Sequence, residues 1–283
     1  MTQSATKQTK VVSREEWLTA RKALLEREKR LTRERDAIAA ERRKLPWVKV
    51  DKEYVFDTPK GKKTLAELFE GRSQLVVYHF MMGPGWPAGC PGCSLIADHL
   101  NGSVAHLANR DVTLIAVSRA PLPEIEAFKR RMGWTFKWAS SYGSDFNYDC
   151  HVSCTKDELD RGEIYYNYRI QKPMSEERPG LSVFYKDEDG EVYQTYSAYA
   201  RQLEPLMGVY VHLDMVPKGR MEEGLRPPSA WLRHHDRYEQ NYYADAVESE
   251  PVTRTMGGSG SNVGMSAKNS ASLNWVEWFF PGR

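Results

Sequence analysis

Apolar residues recur at every seventh position near the start of the chain, in a segment that is otherwise rich in charge. Ser13 and Glu16 have the spacing of a capping box, and Pro46 follows the segment, so the pattern predicts one helix over residues 13–45. The recurring residues form a narrow apolar stripe of Trp17, Leu24, Leu31, Ile38 and Leu45. Such a stripe fits docking against the same domain or a second subunit, pairing with another helix, or a basic surface contact.

After Pro46 the pattern changes to short apolar runs that alternate with amphipathic segments, which indicates an α/β domain. The runs LVVYHF (residues 75–80) and VTLIAV (residues 112–117) are continuous and rich in β-favouring residues, as in buried strands. The turn DEDG separates two further runs that predict a β-hairpin. Helices are predicted over residues 94–107 and 123–132, and the two hairpin strands over residues 181–185 and 191–197.

The composition argues against a nucleic-acid-binding or membrane protein. Of the 283 residues, 40 are Lys or Arg and 38 are Asp or Glu, whereas a general nucleic-acid binder has a basic excess. The longest apolar run, residues 75–82, is far shorter than the roughly 20 residues that cross a bilayer. No apolar leader is visible at the N-terminus, so we expect a cytoplasmic protein.

Three regions differ in composition. We predict an N-terminal arm and long helix over residues 1–45, a folded α/β domain over residues 46–243, and a low-complexity tail over residues 244–283. The tail contains the linker-like run GGSGSNVG and then the aromatic run LNWVEWFF. We expect this tail to be flexible.

The candidate chemistry lies in a C-P-G-C motif, Cys90 to Cys93, between the predicted strand at residues 75–80 and a predicted helix. At a helix N-terminus the macrodipole and unpaired N–H groups stabilise a thiolate and lower its pKa. Cys90 is therefore the predicted nucleophile, and Cys93 would resolve a mixed disulfide by intramolecular attack. Trp86, four residues upstream, is predicted to flank the site as an apolar docking surface.

A metal site is the alternative chemistry for the same motif. Cys150 and Cys154 form C-x-x-x-C, and together with Cys90 and Cys93 they could supply four thiolates to a tetrahedral zinc ion. For Cys150 and Cys154 we favour ordinary loop or core positions, with a second disulfide or a metal site as alternatives. The prediction is therefore a dithiol without a bound cofactor.

The succession of LVVYHF, W-x-x-x-C-P-G-C and a helix resembles the thioredoxin-like superfamily. VTLIAVSRAPLPEIEAFKRRMGWTF looks like the strand–helix step of peroxiredoxins and thiol peroxidases, and PGLSVFY before DEDGEV is similar to the strand after the superfamily's cis-proline. The resemblance covers about residues 47–210. It implies a three-layer α/β fold with a central mixed sheet and helices on both faces. It also implies that Pro179 is the cis-proline and shapes the substrate pocket.

Residues 11–240 more closely resemble an uncharacterised, mostly bacterial family, a domain of unknown function with a thioredoxin-like fold. The matching phrases, in order, are SREEWLTARKALLEREKRLTRERD, LPWVKVDKEYVFD, RSQLVVYHFMMGPGW, GCPGCS, LIAVSRAPL, GSDFNYD, RPGLSVFYKDEDGEVY and RHHDRYE. This resemblance implies the fold and no substrate.

The chain departs from its better-known relatives at the motif itself. Thioredoxins carry Gly-Pro between the cysteines and this chain carries Pro-Gly, so a redox potential does not carry over. Peroxiredoxins carry a Pro and a Thr or Ser at fixed positions before the reactive cysteine, a pattern that neither Cys90 nor Cys93 has. Arg119 and Arg178 are the candidates for positive charge beside a thiolate.

Together, these patterns predict a thiol–disulfide oxidoreductase that acts on protein or small-molecule disulfides and thiols. The alternatives are a non-enzymatic interaction protein of the same fold and the zinc-binding module. Neither nucleic acid nor a membrane is an expected partner, and the striped helix makes a homodimer a further prediction. Structural roles are predicted for the histidines His79, His234 and His235.

Overall fold

The computed structural model of the protein describes residues 10–239. The predicted low-complexity tail, residues 244–283, and most of the N-terminal arm lie outside the described residues. Between residues 10 and 239, no helix combines the length and the apolar character that crossing a bilayer requires.

The long N-terminal helix is present as α1 (Arg14–Arg42). Its first turn has the predicted capping box, in which Glu16 N–H donates to Ser13 Oγ and the Glu16 carboxylate accepts from Ser13 N–H. No residue of α1 is buried. The side chains of the apolar stripe remain exposed, from 39% at Ile38 to 52% at Leu31. The stripe therefore does not dock into the described domain, and the homodimer stays a prediction.

Within the described residues ten strands follow α1, eight of them in one sheet. In chain order they are β1 (Val48–Lys49), β2 (Val55–Thr58), β3 (Gly61–Thr64), β4 (Gln74–His79), β5 (Val112–Ser118), β6 (Lys137–Ser140), β7 (Ile164–Tyr166), β8 (Arg169–Gln171), β9 (Gly180–Lys186) and β10 (Val192–Tyr199). The sheet has the order β1-β10-β9-β4-β5-β6-β2-β3, while β7 and β8 pair separately. Strands β4, β5 and β6 are parallel and β9 is antiparallel to β4, so the mixed sheet is confirmed.

The helices after α1 are short. They are α2 (Pro91–Leu100), α3 (Val104–Ala108), α4 (Leu122–Arg131), α5 (Phe146–Asp149), α6 (Lys156–Arg161), α7 (Gly208–Met215) and the 3-10 helices Ala66–Phe69, Ala200–Leu206 and His235–Arg237. The helix predicted over residues 94–107 is divided into α2 and α3 by a turn around Gly102. Glycine has a low helix propensity, which accounts for the break there.

Side chains of the central strands alternate between two apolar clusters, one on each face of the sheet. Even-numbered residues such as Tyr78 of β4 and Ala116 of β5 pack with α2, α4 and α7. Odd-numbered residues such as Val77 and Val117 pack with the 3-10 helix Ala66–Phe69 and with α5. Helices thus cover both faces of the central mixed sheet, which confirms the three-layer α/β arrangement that the resemblance implied.

The last described segment, from residue 229 onward, is irregular apart from the 3-10 turn His235–Arg237. Trp231 packs against the cluster that contains α2 and α4. Arg131 of α4 forms a salt bridge to Asp236 at 2.8 Å. The end of the described chain therefore returns to the face of the sheet that carries the C-P-G-C motif.

Candidate redox site at the start of helix α2

The two cysteines of the motif lie where the strand–loop–helix pattern predicts. Strand β4 ends at His79, a loop follows, and Cys90 is the N-cap of α2 with Pro91 as the first helical residue. Proline is well tolerated there because the first N–H of a helix has no intrahelical acceptor. Cys90 N–H donates to Met81 O at 3.1 Å, and Ser94 N–H donates to Cys90 O at 2.9 Å. The first bond joins the start of the helix to the loop just after β4, and the second is the first hydrogen bond of the helix itself.

Hydrogen bonding distinguishes the two buried sulfurs. Burial acts to raise the pKa of Cys90, but hydrogen bonds from the Cys93 side chain and from the backbone N–H groups of Cys93 and Gly92 outweigh it and lower that pKa. Burial and the hydrogen bond to Cys90 raise the pKa of Cys93 well above its usual value. The pKa values of the two cysteines therefore shift in opposite directions, and Cys90 is the more acidic thiol.

Aromatic rings enclose the loop before the motif. A Cβ atom at Gly89 would lie 2.4 Å from a ring carbon of Phe80 and 2.8 Å from one of Phe128, so only glycine fits. Trp86 packs against the same cluster, and its indole Nε1 donates to Glu176 Oε1 at 2.8 Å. The sequence analysis did not identify Glu176 as a site residue. The one feature of the sequence that could have indicated it is the pair of acidic residues directly before Arg178 and Pro179.

Pro179 is buried immediately before β9. Gly180, the first residue of β9, is paired with His79, the last residue of β4, so Pro179 lies at the edge of the sheet from which the motif loop leaves. Among the described residues the cis peptide bond is Arg226–Pro227, and the bond before Pro179 is trans. The cis-proline implied for Pro179 is therefore wrong, while its role in a substrate pocket stays a prediction.

The two candidate arginines contact other groups. Arg119, just after β5, pairs with Glu177 and Glu176, and its guanidinium lies 4.9 Å from the centre of the Tyr148 ring. Arg178 is buried, with its guanidinium 5.6 Å from the centre of a tyrosine ring and beside the Cys154 thiol. The low pKa of Cys90 arises instead from hydrogen bonds inside the motif.

Glu177 is a second buried acid that the sequence prediction missed. It is 1% exposed, its carboxylate pairs with Arg119, and it accepts from Ser153 Oγ at 2.8 Å. Burial raises the pKa of Glu177 to about 7 in spite of the arginine. Its neighbour Arg119 therefore faces a carboxyl group that changes charge near neutral pH.

Glu177→Gln is expected to flatten the pH dependence of stability between about pH 4.5 and pH 7. The folded-state pKa of about 7 exceeds the unfolded value of 4.5, so the folded protein binds more protons in this range and stability falls as pH rises. Glutamine has no proton to lose. Urea unfolding of both proteins at half-unit pH steps checks this, and parallel curves would contradict it.

Cys150 and Cys154 lie in the cluster on the other face of the sheet from Cys90 and Cys93. Burial raises the pKa of Cys150 to about 12 and that of Cys154 to about 11. Over residues 10–239, no three His, Cys, Asp or Glu side chains are grouped so that they could hold a metal ion. The structure therefore does not bring the four cysteines of the predicted zinc site together.

His79 lies on the same face as Cys150. Its Nε2 is 2.8 Å from Ser182 Oγ, and its ring centre is 5.6 Å from that of Phe146. Burial lowers the pKa of His79 to about 3, so the ring is neutral at physiological pH. This is the packing of a core histidine.

The sequence matches one family model over most of its length. Residues 6–238 match the family described as "Bacterial protein of unknown function (DUF899)". The chain belongs to this family. A search of curated proteins gives no match.

Solved structures with a similar arrangement include a peroxidoxin and a peroxiredoxin Q. Peroxidoxin BcpB from Mycobacterium tuberculosis is 12% identical, with 58% of this chain and 93% of that chain covered and a TM-score of 0.34. A peroxiredoxin Q structure from Xanthomonas campestris is 14% identical, with coverages of 58% and 91% and a TM-score of 0.38. At these identities a shared activity does not follow.

Proposed function

We propose that the protein is a thiol–disulfide oxidoreductase in which Cys90 and Cys93 cycle between a dithiol and a disulfide. The observation that carries this proposal is the position of Cys90 as the N-cap of α2, with Cys93 in the first turn of the same helix. Hydrogen bonding from Cys93 and Gly92 outweighs burial and lowers the pKa of Cys90, which favours its thiolate. A stabilised thiolate next to a protonated thiol is the arrangement that disulfide exchange needs.

The reaction has two steps. The Cys90 thiolate attacks one sulfur of a substrate disulfide, forms a mixed disulfide and releases the other sulfur as a thiolate. The Cys93 thiol then loses its proton to solvent and attacks Cys90 Sγ, which releases the second substrate sulfur as a thiolate. The products are a Cys90–Cys93 disulfide and two reduced substrate thiols, and the two electrons come from the dithiol.

Access to Cys90 distinguishes this proposal from its main rival. Both cysteines have no exposed surface in the observed conformation, so residues packed around the motif must move before a substrate sulfur reaches Cys90. Trp86 lies on the loop before the motif, and Pro179 lies at the same edge of the sheet. We assign both residues to the substrate-binding surface, for a protein or small-molecule disulfide.

The complete burial of both sulfurs is also the one observation that favours a non-enzymatic interaction protein. In that case the cysteines would be core residues, since free cysteine is among the most buried residue types. The homodimer and a cytoplasmic location belong to either function and are part of the proposal. The two functions differ in whether the thiols react without unfolding.

Oxidation of the full chain in glutathione buffers of stepped potential tests the proposal. We expect a Cys90–Cys93 disulfide by peptide mass spectrometry. We also expect alkylation of the reduced protein at pH 7 to reach Cys90 well before Cys150 and Cys154, whose high pKa values leave them as thiols. If Cys90 reacts only in denaturant and forms no disulfide, the interaction protein replaces the enzyme.

A further inference from the structure

The end of the described chain passes directly over the C-P-G-C motif. His234 Nε2 lies 2.7 Å from the carbonyl oxygen of Gly89, and His234 Nδ1 lies 3.2 Å from a guanidinium nitrogen of Arg131. Because arginine can only donate, Nδ1 is the accepting nitrogen and Nε2 carries the proton that it donates to Gly89. The two contacts therefore select a single neutral tautomer of His234.

The peptide group between Gly89 and Cys90 is thereby bonded at both of its polar atoms. Its carbonyl oxygen accepts from His234, and its N–H donates to Met81 O at 3.1 Å. The backbone rotation that places the Cys90 side chain starts from the plane of this peptide group. Fixing the plane therefore restricts where the Cys90 sulfur can lie relative to the N–H groups of α2.

His234 is itself held by several contacts. Its ring packs edge-on against Phe128 with ring centres 5.4 Å apart. Arg131, which donates to His234, is bound by both oxygens of Asp236 at 2.8 Å each. The next residue, His235, is anchored separately, with its Nδ1 2.8 Å from Asp98 Oδ1 on α2. The segment is thus fixed to α2, α4 and the loop at once.

We propose that His234 is a positioning residue for Cys90, because its imidazole holds the Gly89–Cys90 peptide group and so keeps the Cys90 side chain at the N-terminus of α2. The inference rests on the proposed function of the dithiol. It joins the RHHDRYE segment to the C-P-G-C motif, from which it is separated by more than 130 residues of sequence.

The charged groups around His234 favour the neutral ring that this role requires. Burial lowers the pKa of His234, the hydrogen bond to Gly89 opposes that shift, and Arg131 on α4 adds to it. Asp236 and Arg237, on its own segment, act in opposite directions. From α2, Asp98 faces the neighbouring His235. A second proton on His234 would lie on Nδ1, so that two N–H donors, those of His234 and Arg131, would face each other.

The pH dependence of Cys90 alkylation in the full chain tests the proposal. We compare the wild type with His234→Ala, which removes the donor, and His234→Gln, which keeps an N–H of similar reach. His235→Ala is the matched control, because that residue bonds α2 and not the loop. The readout is the midpoint of the titration, since loosening the loop alters access and hence the plateau rate.

We expect His234→Ala to raise the midpoint by about 0.5 to 1 pH unit, a three- to tenfold loss of thiolate at a pH below the midpoint. His234→Gln and His235→Ala should keep the wild-type midpoint. A wild-type midpoint in a folded His234→Ala protein overturns the positioning role and leaves the oxidoreductase standing. A wild-type protein whose Cys90 does not titrate overturns both proposals.

The wild type supplies a measurement that does not depend on the folding of a variant. Nitrogen-15 NMR shifts of the imidazole distinguish the two neutral tautomers and the charged ring. We expect the Nε2–H tautomer for His234 at pH 7. An Nδ1–H tautomer or a charged ring overturns the proposal, because neither is compatible with Arg131 and Gly89 as partners.

Discussion

Replacing Cys90 with serine is expected to abolish disulfide exchange, whereas replacing Cys93 is expected to stop the reaction half-way. Serine at position 90 leaves no sulfur to attack the substrate, so the rate should fall at least about a hundredfold. In Cys93→Ser the attacking thiolate remains but the resolving thiol is absent. A mixed disulfide between Cys90 and the substrate should therefore accumulate.

Cys93→Ser is expected to keep a hydrogen-bond donor beside Cys90. A hydroxyl still donates to Cys90 but carries no sulfur, so the pKa of Cys90 should stay low while turnover is lost. The two variants thus separate attack from resolution, which a loss of activity alone would not do.

The measurement is a single-turnover reaction with a chromogenic aromatic disulfide, followed by mass spectrometry of the intact protein. Cys150→Ser and Cys154→Ser are the matched controls, because both thiols are buried on the other face of the sheet. They should keep wild-type rates and the wild-type product. A mixed disulfide at Cys150 or Cys154, or full activity in Cys90→Ser, would mean that the wrong pair of cysteines has been assigned.

Gly89→Ala is expected to lower the free energy of unfolding by about 3 kcal/mol, through overpacking of an aromatic cluster. The new methyl group would lie 2.4 Å from a ring carbon of Phe80 and 2.8 Å from one of Phe128. Neither ring is free to move away, because the Phe80 ring centre lies 4.5 Å from that of the buried Trp138 and the Phe128 ring centre lies 5.7 Å from that of Trp134. The loop must shift instead, and Cys90 follows it.

Gly102→Ala is the matched control for this substitution. Gly102 lies between α2 and α3, and a Cβ atom there meets no heavy atom within 4 Å. Alanine at position 102 should therefore leave the stability unchanged or raise it by up to about 1 kcal/mol. Chemical denaturation of the three proteins measures both effects. Equal stability of Gly89→Ala and the wild type would show that the loop is not packed between the two rings.

The sequence by itself determined the elements whose signals are local. Ser13 and Glu16 stand three residues apart, so they close a capping box whatever the rest of the chain does, and α1 begins as predicted. Strands β4 and β5 follow from continuous apolar runs of β-favouring residues. The position of Cys90 at the start of α2 follows from the same local order of strand, loop and proline.

Only the tertiary structure decided which distant side chains meet. The period of two along β4 sends Val77 and Tyr78 to opposite faces, and the fold then places Cys150 in one cluster and Cys93 in the other. The sequence shows four cysteines that could share a metal, but it does not show the sheet that divides them. Likewise, nothing local to Pro179 sets its peptide bond, which is trans here.

The contacts of Arg119 and His234 likewise depend on the tertiary structure and not on the local sequence. Arg119 was a candidate partner for a thiolate, yet a buried carboxylate, Glu177, meets it from the segment before β9. His234 reaches Gly89 across 145 residues of chain. Capping and strand patterns act between near neighbours and can be recognised in the sequence. A partner brought from a remote segment depends on how the sheet and its covering helices pack, and that packing is decided by the whole chain.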